Sequence, residues 1–158
     1  MTRKPPSAIT PITGSMLYDM IQCEHRPYMD VFANPALRES PDPFVELLWE
    51  AGQTHEEDVI ASLGLSFVSA ASYDLAERES QTLAAINAKA SLIYGGRISS
   101  GDLLGEPDLL RWDGSGYVAG DIKSGSGLDK TGYLKKDYGV QVALYTDILE
   151  RLGIASTR

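Results

Sequence analysis

The chain has 158 residues, 43% of them hydrophobic and 23% charged, which is typical of one globular domain with a buried core. Its 14 basic and 22 acidic residues give a net charge of −8, which argues against nucleic-acid binding through overall positive charge. There is no apolar run near the ~20 residues that span a membrane, no secretory signal and only one cysteine, so we expect a cytoplasmic protein without a membrane partner or internal disulfide.

The N-terminal half is predicted to be mainly helical. Residues 1–12 are rich in Pro, Ser and Thr, and we expect a flexible arm there, ahead of a single domain over 13–158. Thr13 and Asp42 each have the chemistry of a helix N-cap, and Asp42 is followed by Pro at the first helical position. The predicted elements are a helix over 13–32, a loop over 34–43, a helix over 43–62, a strand over 65–70 and a helix over 74–90.

The C-terminal half is predicted to contain most of the strands. Gly105 indicates a bend that re-aims Asp108, and the turn residues of Asp113–Gly116 predict a hairpin. The predicted elements are strands over 91–99, 101–112 and 117–123, a polar loop over 123–137 and a helix over 138–152. Because only 154–158 follow that helix, we expect the domain to be incomplete at its C-terminus, as in a fragment.

The hairpin is the feature from which we predict a catalytic site. If it closes at Asp113–Gly116, Asp108 lies opposite Asp121, and Asp121 shares a face with Lys123 while Ile122 points the other way. Two neighbouring carboxylates repel each other unless a cation lies between them, and hard oxygen ligands favour Mg²⁺ or Mn²⁺. Such an ion activates water, and an ammonium steadies phosphate oxygens. The spacing therefore predicts metal-assisted cleavage of a phosphodiester.

Four short blocks along the chain resemble a known family. They are Gly52-x-x-His55-Glu56, Glu106-Pro107-Asp108, Asp121-Ile122-Lys123 with Ser124-Gly125, and Gln141-Val142-Ala143-Leu144-Tyr145. In these blocks, over about 13–153, the chain resembles the PD-(D/E)xK nuclease superfamily and its RecB-type branch, which includes the CRISPR-associated exonucleases. The resemblance implies an α/β fold with a restriction-endonuclease-like core, αβββαβ, whose mixed central sheet is flanked by helices and whose last strand is missing here.

The same resemblance implies roles for single residues. Asp108, Asp121 and Lys123 would be catalytic, and His55, Asp108, Asp121 and the main-chain oxygen of Ile122 would bind the metal. Glu56 and Glu57 are alternatives to His55, because other branches of the superfamily use a helical Glu at this point. Gln141 and Tyr145, four residues apart on one helix face, would hold Lys123 or the nucleic-acid backbone.

Two further predictions concern an iron–sulfur cluster and the basic residues near the site. Several RecB-type nucleases bind an iron–sulfur cluster through one early and three late cysteines. The late three are absent, so no cluster is expected within this chain and Cys23 is predicted to be a buried small hydrophobe. The basic residues Lys123, Lys130, Lys135 and Lys136 are either a positive stripe near the site or a solvated loop.

The resemblance thus implies a Mg²⁺- or Mn²⁺-dependent nuclease of repair or nucleic-acid processing, acting on DNA more readily than RNA, with a helicase or another processing protein as partner. Two alternatives remain open. One is a catalytically silent nuclease-fold module that binds within a larger complex. The other is a hydrolase of small phosphoesters, for which a closed pocket in place of a wide basic groove would be the mark.

Overall fold

The protein is an α/β structure in which five helices flank two small mixed sheets, as seen in a computed structural model that describes residues 10–158. The predicted flexible arm falls mostly on residues 1–9, which lie outside the described part. A short 3-10 helix at Pro35–Leu37 precedes the third α-helix. The α-helices are α1 (Gly14–Gln22), α2 (His25–Phe32), α3 (Pro43–Ser62), α4 (Leu75–Asn87) and α5 (Lys136–Arg151).

The two sheets share no strand. One has the order β1-β5-β4 and the other the order β2-β3-β6-β7. The pairs β1–β5 and β2–β3 are parallel, and the remaining pairs are antiparallel. The strands are β1 (Ile12–Thr13), β2 (Val68–Ser69), β3 (Leu92–Tyr94), β4 (Ile98–Ser100), β5 (Leu103–Gly105), β6 (Leu109–Trp112) and β7 (Tyr117–Gly120).

Two strands predicted to be continuous are each interrupted once, at facing positions. On one side, Gly95 has a φ of 66° between β3 and β4, in a region that disfavours other residues. On the other side, buried Pro107 lacks the N–H that a ladder needs between β5 and β6. The backbone N of Gly95 donates to the carbonyl oxygen of Asp108 at 2.9 Å across the gap. The ribbon therefore passes from one sheet to the other at Glu106–Asp108.

The predicted helix over 13–32 is in fact two helices. Pro27 has no N–H to bond the carbonyl of Cys23, and its ring would crowd that carbonyl in a continuous helix. The chain breaks at Cys23, whose backbone is extended (φ −162°), and Pro27 falls in the first turn of α2, where it is tolerated. Cys23 is exposed at this break, so the prediction that it is buried was wrong.

Helix starts and the hairpin follow the sequence closely. The side chain of Asp42 accepts from Phe44 N at the start of α3, whose bounds are those predicted. The hairpin closes as expected, with Trp112 opposite Tyr117 and the N–H of Asp113 donating to Gly116 O at 3.0 Å.

The core lies between the sheets, α4 and α5. Its fully buried side chains include Ile93, Ile98, Leu110, Ile148 and Leu149. α3 buries Ile60 near its end, whereas Phe44, Leu47, Leu48 and Trp49 near its start are more than half exposed. Among residues 10–158, no helix combines the length and apolar character that crossing a bilayer requires.

After α5 the chain returns to the edge of β7. Ala155 forms a parallel bridge with Tyr117, and the backbone N of Tyr117 donates to Ile154 O at 2.8 Å. The N–H of Ser156 in turn donates to Tyr117 O at 3.0 Å. Among residues 10–158, this bridge is the one parallel β-bridge outside the named strands.

Candidate functional site

The strand register brings the two predicted carboxylates together. Leu109 at the start of β6 pairs with Gly120 at the end of β7, so Asp108 and Asp121 are the next facing positions. There the backbone N of Ile122 donates to Asp108 Oδ2 at 2.5 Å. A bond across the mouth of the hairpin thus fixes the Asp108 side chain against the segment that carries Asp121.

Asp121 and Lys123 form an ion pair that is largely removed from water. Lys123 Nζ lies 2.5 Å from Asp121 Oδ2, and the Asp121 side chain is only 8% exposed. Oδ2 nevertheless accepts no well-directed hydrogen bond from residues 10–158. The 2.5 Å contact is therefore an ion pair whose angle departs from hydrogen-bond geometry.

The Asp108 carboxyl has a pKa raised from 3.8 to about 7. Burial is the largest cause, because it penalises the charged form. The Ile122 N–H opposes the rise, the negative charges of Asp121 and Glu56 add to it, and Lys123 lowers it. Near neutral pH the pair of aspartates therefore tends to retain a proton, as close carboxylates do.

A cleft of about 170 Å³ opens beside the ion pair. Asp121, Lys123, Gln141 and Tyr145 line it, so the structure brings both predicted residues of α5 to the predicted catalytic pair. Gln141 is buried, and its Oε1 accepts no hydrogen bond in the described part of the chain. Burial, and then the negative charges of Asp121, Asp108 and Glu106, raise the pKa of the Tyr145 hydroxyl, so it remains protonated.

Two arginines hold Glu106, which also lines the cleft. Arg97 Nη1 lies 2.6 Å from Glu106 Oε1, and Arg78 Nη1 lies 3.6 Å from the same oxygen. Arg78 Nε also donates to the carbonyl oxygen of Gly95 at 2.7 Å. These contacts tie α4 to both sides of the interrupted ribbon, next to Pro107 and Asp108.

Helix α3 reaches the site through Glu56. Its carboxylate raises the pKa of Asp108 and, after burial, contributes most to raising the pKa of Tyr94 to about 12. His55 is half-buried one residue earlier on the same helix. Among residues 10–158, no three His, Cys, Asp or Glu side chains form a group that could hold a metal ion, so His55, Asp108 and Asp121 are not assembled as a three-ligand set.

Sequence reasoning missed several residues around the site. Tyr94 pairs with Leu109, the neighbour of Asp108, in the β3–β6 register, which the hairpin residues do not set. Glu106 was part of a quoted block but received no role. The start of α1, residues 13–15, also lines the cleft, and no pattern in the sequence marks it for this position.

The donors at the junction fit a hard divalent cation in part. Asp108 and Asp121 supply carboxylate oxygens, and like charge together with burial disfavours the ionised pair unless positive charge is added. The buried Oδ2 of Asp121 already lies against the Lys123 ammonium, so a bound ion would share this oxygen with Lys123. Lys123 now supplies that positive charge and would yield part of its contact to a bound ion.

Comparison of the chain with protein-family models finds no match, and searches of curated proteins and of solved structures also find no match.

Proposed function

We propose that this chain is a metal-dependent nuclease that hydrolyses phosphodiester bonds, with DNA preferred over RNA. The observation that carries the proposal is the convergence of Asp108, Asp121 and Lys123 at the mouth of one hairpin, beside a cleft lined by Gln141 and Tyr145. These are the residues of three of the four blocks that resemble the PD-(D/E)xK superfamily. The hairpin itself brings Asp108 and Asp121 together, whereas Gln141 and Tyr145 come from α5, so their place beside Lys123 is not a consequence of local spacing.

The order of elements supports a restriction-endonuclease-like core as the finer description of the fold. α3 is followed by the interrupted strands β3–β4 and β5–β6, by β7 and then by α5. Counting each interrupted pair as one long strand gives helix, three strands and helix, with β2 and α4 inserted after α3. In such a core the bridge of Ala155 beside Tyr117 marks where a final strand would pair.

The residues of the site have different roles in the proposed hydrolysis. Asp108 and Asp121 would hold Mg²⁺ or Mn²⁺, with the main-chain oxygen of Ile122 and either His55 or Glu56 completing the ligand set. When bound, such an ion activates water for attack and offsets charge on the phosphate. Lys123 contributes three donors to steady a phosphate oxygen. Gln141 and Tyr145 orient Lys123 and the nucleic-acid backbone from α5.

The test is cleavage of labelled single- and double-stranded DNA in Mn²⁺, Mg²⁺ or EDTA. We expect metal-dependent cleavage that falls at least about 100-fold in Lys123→Ala and Asp121→Ala, because an electrostatic group at the reacting phosphate is removed. Lys89→Ala is the matched control, since Lys89 stacks its ammonium 5.5 Å over Trp112, at the opposite end of β6 from Asp108. Full activity in both site variants would refute the assigned roles.

A catalytically silent binding module, serving a helicase or another processing protein in the cytoplasm, is the second candidate. Two observations favour it: the described residues assemble no three-ligand group, and the chain carries a net charge of −8. Metal-independent binding of DNA by folded protein, without cleavage in any of the three conditions, would select it. A hydrolase of small phosphoesters is the third candidate, and hydrolysis of a small phosphoester without cleavage of DNA would select it.

A further inference from the structure

A second cavity adjoins the proposed catalytic cleft. Its volume is about 250 Å³, and its lining includes Leu134 of the loop before α5 and Tyr138 of the first turns of α5. Asp121 and Lys123 line both spaces. A chain-like substrate held at Lys123 would therefore continue into this second cavity.

Two ammonium groups contact the ring of Tyr138, which lines this cavity. Lys123 Nζ lies 5.7 Å from the centroid of the Tyr138 ring, and Lys135 Nζ lies 5.1 Å from it. The ring is itself backed by Tyr18 of α1, with centroids 6.4 Å apart and an interplanar angle of 16°. Contact with an aromatic face stabilises an ammonium without consuming its N–H donors. The ring thus brings the ammonium of Lys135 near that of Lys123 and leaves the N–H donors of Lys135 available.

The acidic residues near Lys135 form ion pairs or hydrogen bonds with other partners. Asp121 pairs with Lys123, which leaves Lys135 without an ion pair among residues 10–158. The carboxylate of Asp129 accepts from Thr131 and from the backbone N of Tyr133 within its own loop. Asp137 accepts from Gln22 Nε2 at 2.9 Å. Lys135 therefore forms no ion pair among residues 10–158, and it lines a neighbouring cavity that shares Leu134 with the second one.

We propose that Lys135, held in place by Tyr138, binds a backbone phosphate of the nucleic acid next to the phosphate at Asp108, Asp121 and Lys123. The inference rests on the proposed function, since it assigns a second phosphate subsite to the same substrate. A lysine suits this task because its ammonium is a compact charge that meets a phosphate oxygen from many directions. Lys135 is then a binding residue, and Tyr138 is a positioning residue that acts through it.

The experiment measures binding of a fluorescein-labelled DNA oligonucleotide, single-stranded and as duplex, by anisotropy in EDTA over a series of KCl concentrations. The variants are Lys135→Gln, which removes the charge, and the pair Tyr138→Leu and Tyr138→Phe, which remove and keep the ring. Lys89→Gln is the matched control, because it removes a lysine that also stacks on an aromatic ring. Circular dichroism verifies that each variant is folded.

The expected result is a loss of one phosphate contact in Lys135→Gln. The slope of log K against log salt becomes shallower by about 0.7 for the single strand and about 0.9 for the duplex, and affinity at about 50 mM salt falls roughly five- to tenfold. Tyr138→Leu should weaken binding in the same direction, and Tyr138→Phe should restore it. Lys89→Gln should keep the slope of the unaltered protein.

The salt slope and the cleavage assay together distinguish an error in the proposed subsite from an error in the proposed nuclease activity. Metal-dependent cleavage with an unchanged salt slope in Lys135→Gln would overturn the subsite and leave the nuclease standing. A shallower slope in Lys135→Gln without cleavage in any metal would support the subsite and refute the nuclease. Equal binding by Tyr138→Leu and Tyr138→Phe, with a lower slope in Lys135→Gln, would overturn the positioning role alone.

Discussion

At Asp108, burial and like charge both act against the ionised carboxylate. Its folded-state pKa of about 7 lies above the ordinary 3.8, so the folded protein holds a proton that the unfolded chain releases. The stabilisation this provides is complete below about pH 4 and is lost as the pH rises through about 7. One pKa unit corresponds to about 1.4 kcal/mol, so the loss amounts to at most about 4 kcal/mol.

Asp108→Asn should remove this pH dependence. In EDTA, we expect the unaltered protein to be less stable to urea at about pH 8 than at about pH 5, and the difference to shrink in Asp108→Asn because an amide cannot ionise. Urea denaturation followed by circular dichroism measures it. An equally large fall in stability in the variant would show that other groups cause it.

Asp113 is the matched control because its pKa shifts the other way. The hydroxyl of Ser156, the backbone N–H of Ser115 and other donors of the turn lower the pKa of this exposed carboxylate. Its contribution is present above about pH 4 and is lost as the pH falls below that value. Asp113→Asn should therefore leave the change in stability between about pH 5 and about pH 8 as it is in the unaltered protein.

At the scale of elements, the close packing of α5 on β5 requires glycine at position 105. A Cβ at Gly105 would lie 2.8 Å from Tyr145 Cδ1 and 3.1 Å from Ile148 Cδ1. α5 can thus approach the strand closely enough to place Tyr145 in the cleft beside Asp121.

Gly105→Ala should force α5 away from β5. We expect a loss of about 1–3 kcal/mol in the free energy of unfolding, as for other overpacked sites, together with reduced activity as Tyr145 moves. Gly52→Ala on α3 is the control, since no atom lies within 4 Å of the added Cβ. That change should stabilise the helix by about 0.5–1 kcal/mol. Urea titration of both variants measures the contrast, and equal effects would contradict it.

The sequence predicted those elements whose signals are local. Asp42-Pro43 marks the start of α3, and the turn residues from Asp113 to Gly116 set the register that joins Asp108 to Asp121. The helix break at Cys23 was also within reach, because Pro27 cannot donate to a carbonyl four residues back. In these cases the cause lies within a few residues of its effect.

What could not be predicted depends on how distant elements pack. Glu56 is the residue of α3 whose charge raises the pKa of Asp108. Which residue of α3 comes near Asp108 depends on how the helix is rotated and placed against the sheets, and no spacing in the sequence encodes this. The change of sheet at Pro107 similarly requires facing interruptions in two strands. Gly95 and Pro107 are each visible in the sequence, whereas their apposition is a property of the fold.

At the scale of the whole molecule, the acidic charge is compatible with a local anion site. Exposed charges more than about 10 Å apart are largely screened at 0.1 M salt, so a phosphate responds mainly to the groups around it. Lys123 and Lys135 are both placed against the Tyr138 ring. The net charge of −8 therefore limits long-range attraction of nucleic acid more than contact at the site.

Residues 154–156 lie along the edge of β7. Besides the two backbone hydrogen bonds to Tyr117, the Ser156 hydroxyl donates to the carboxylate of Asp113 in the hairpin turn. Ile154 and Ala155 pack against the core. Residues 154–156 therefore hold the same hairpin whose other end carries Asp108 and Asp121.

Ending the chain at Gly153 should destabilise the whole molecule, not only its terminus. The shorter chain loses three hydrogen bonds to the hairpin and also those from the N–H groups of Ile154 and Ala155 to Leu149 O. At about 0.5–1.5 kcal/mol each, the three hairpin bonds alone predict a fall of about 2–4 kcal/mol in the free energy of unfolding. A chain ending at Ser156, which keeps these bonds, is the control and should lose less than about 1 kcal/mol. Urea denaturation measures both, and an unchanged midpoint in the shorter chain would show that the hairpin holds without this segment. Because β7 leads directly into Asp121, we also expect the shorter chain to lose proposed nuclease activity in parallel with its stability.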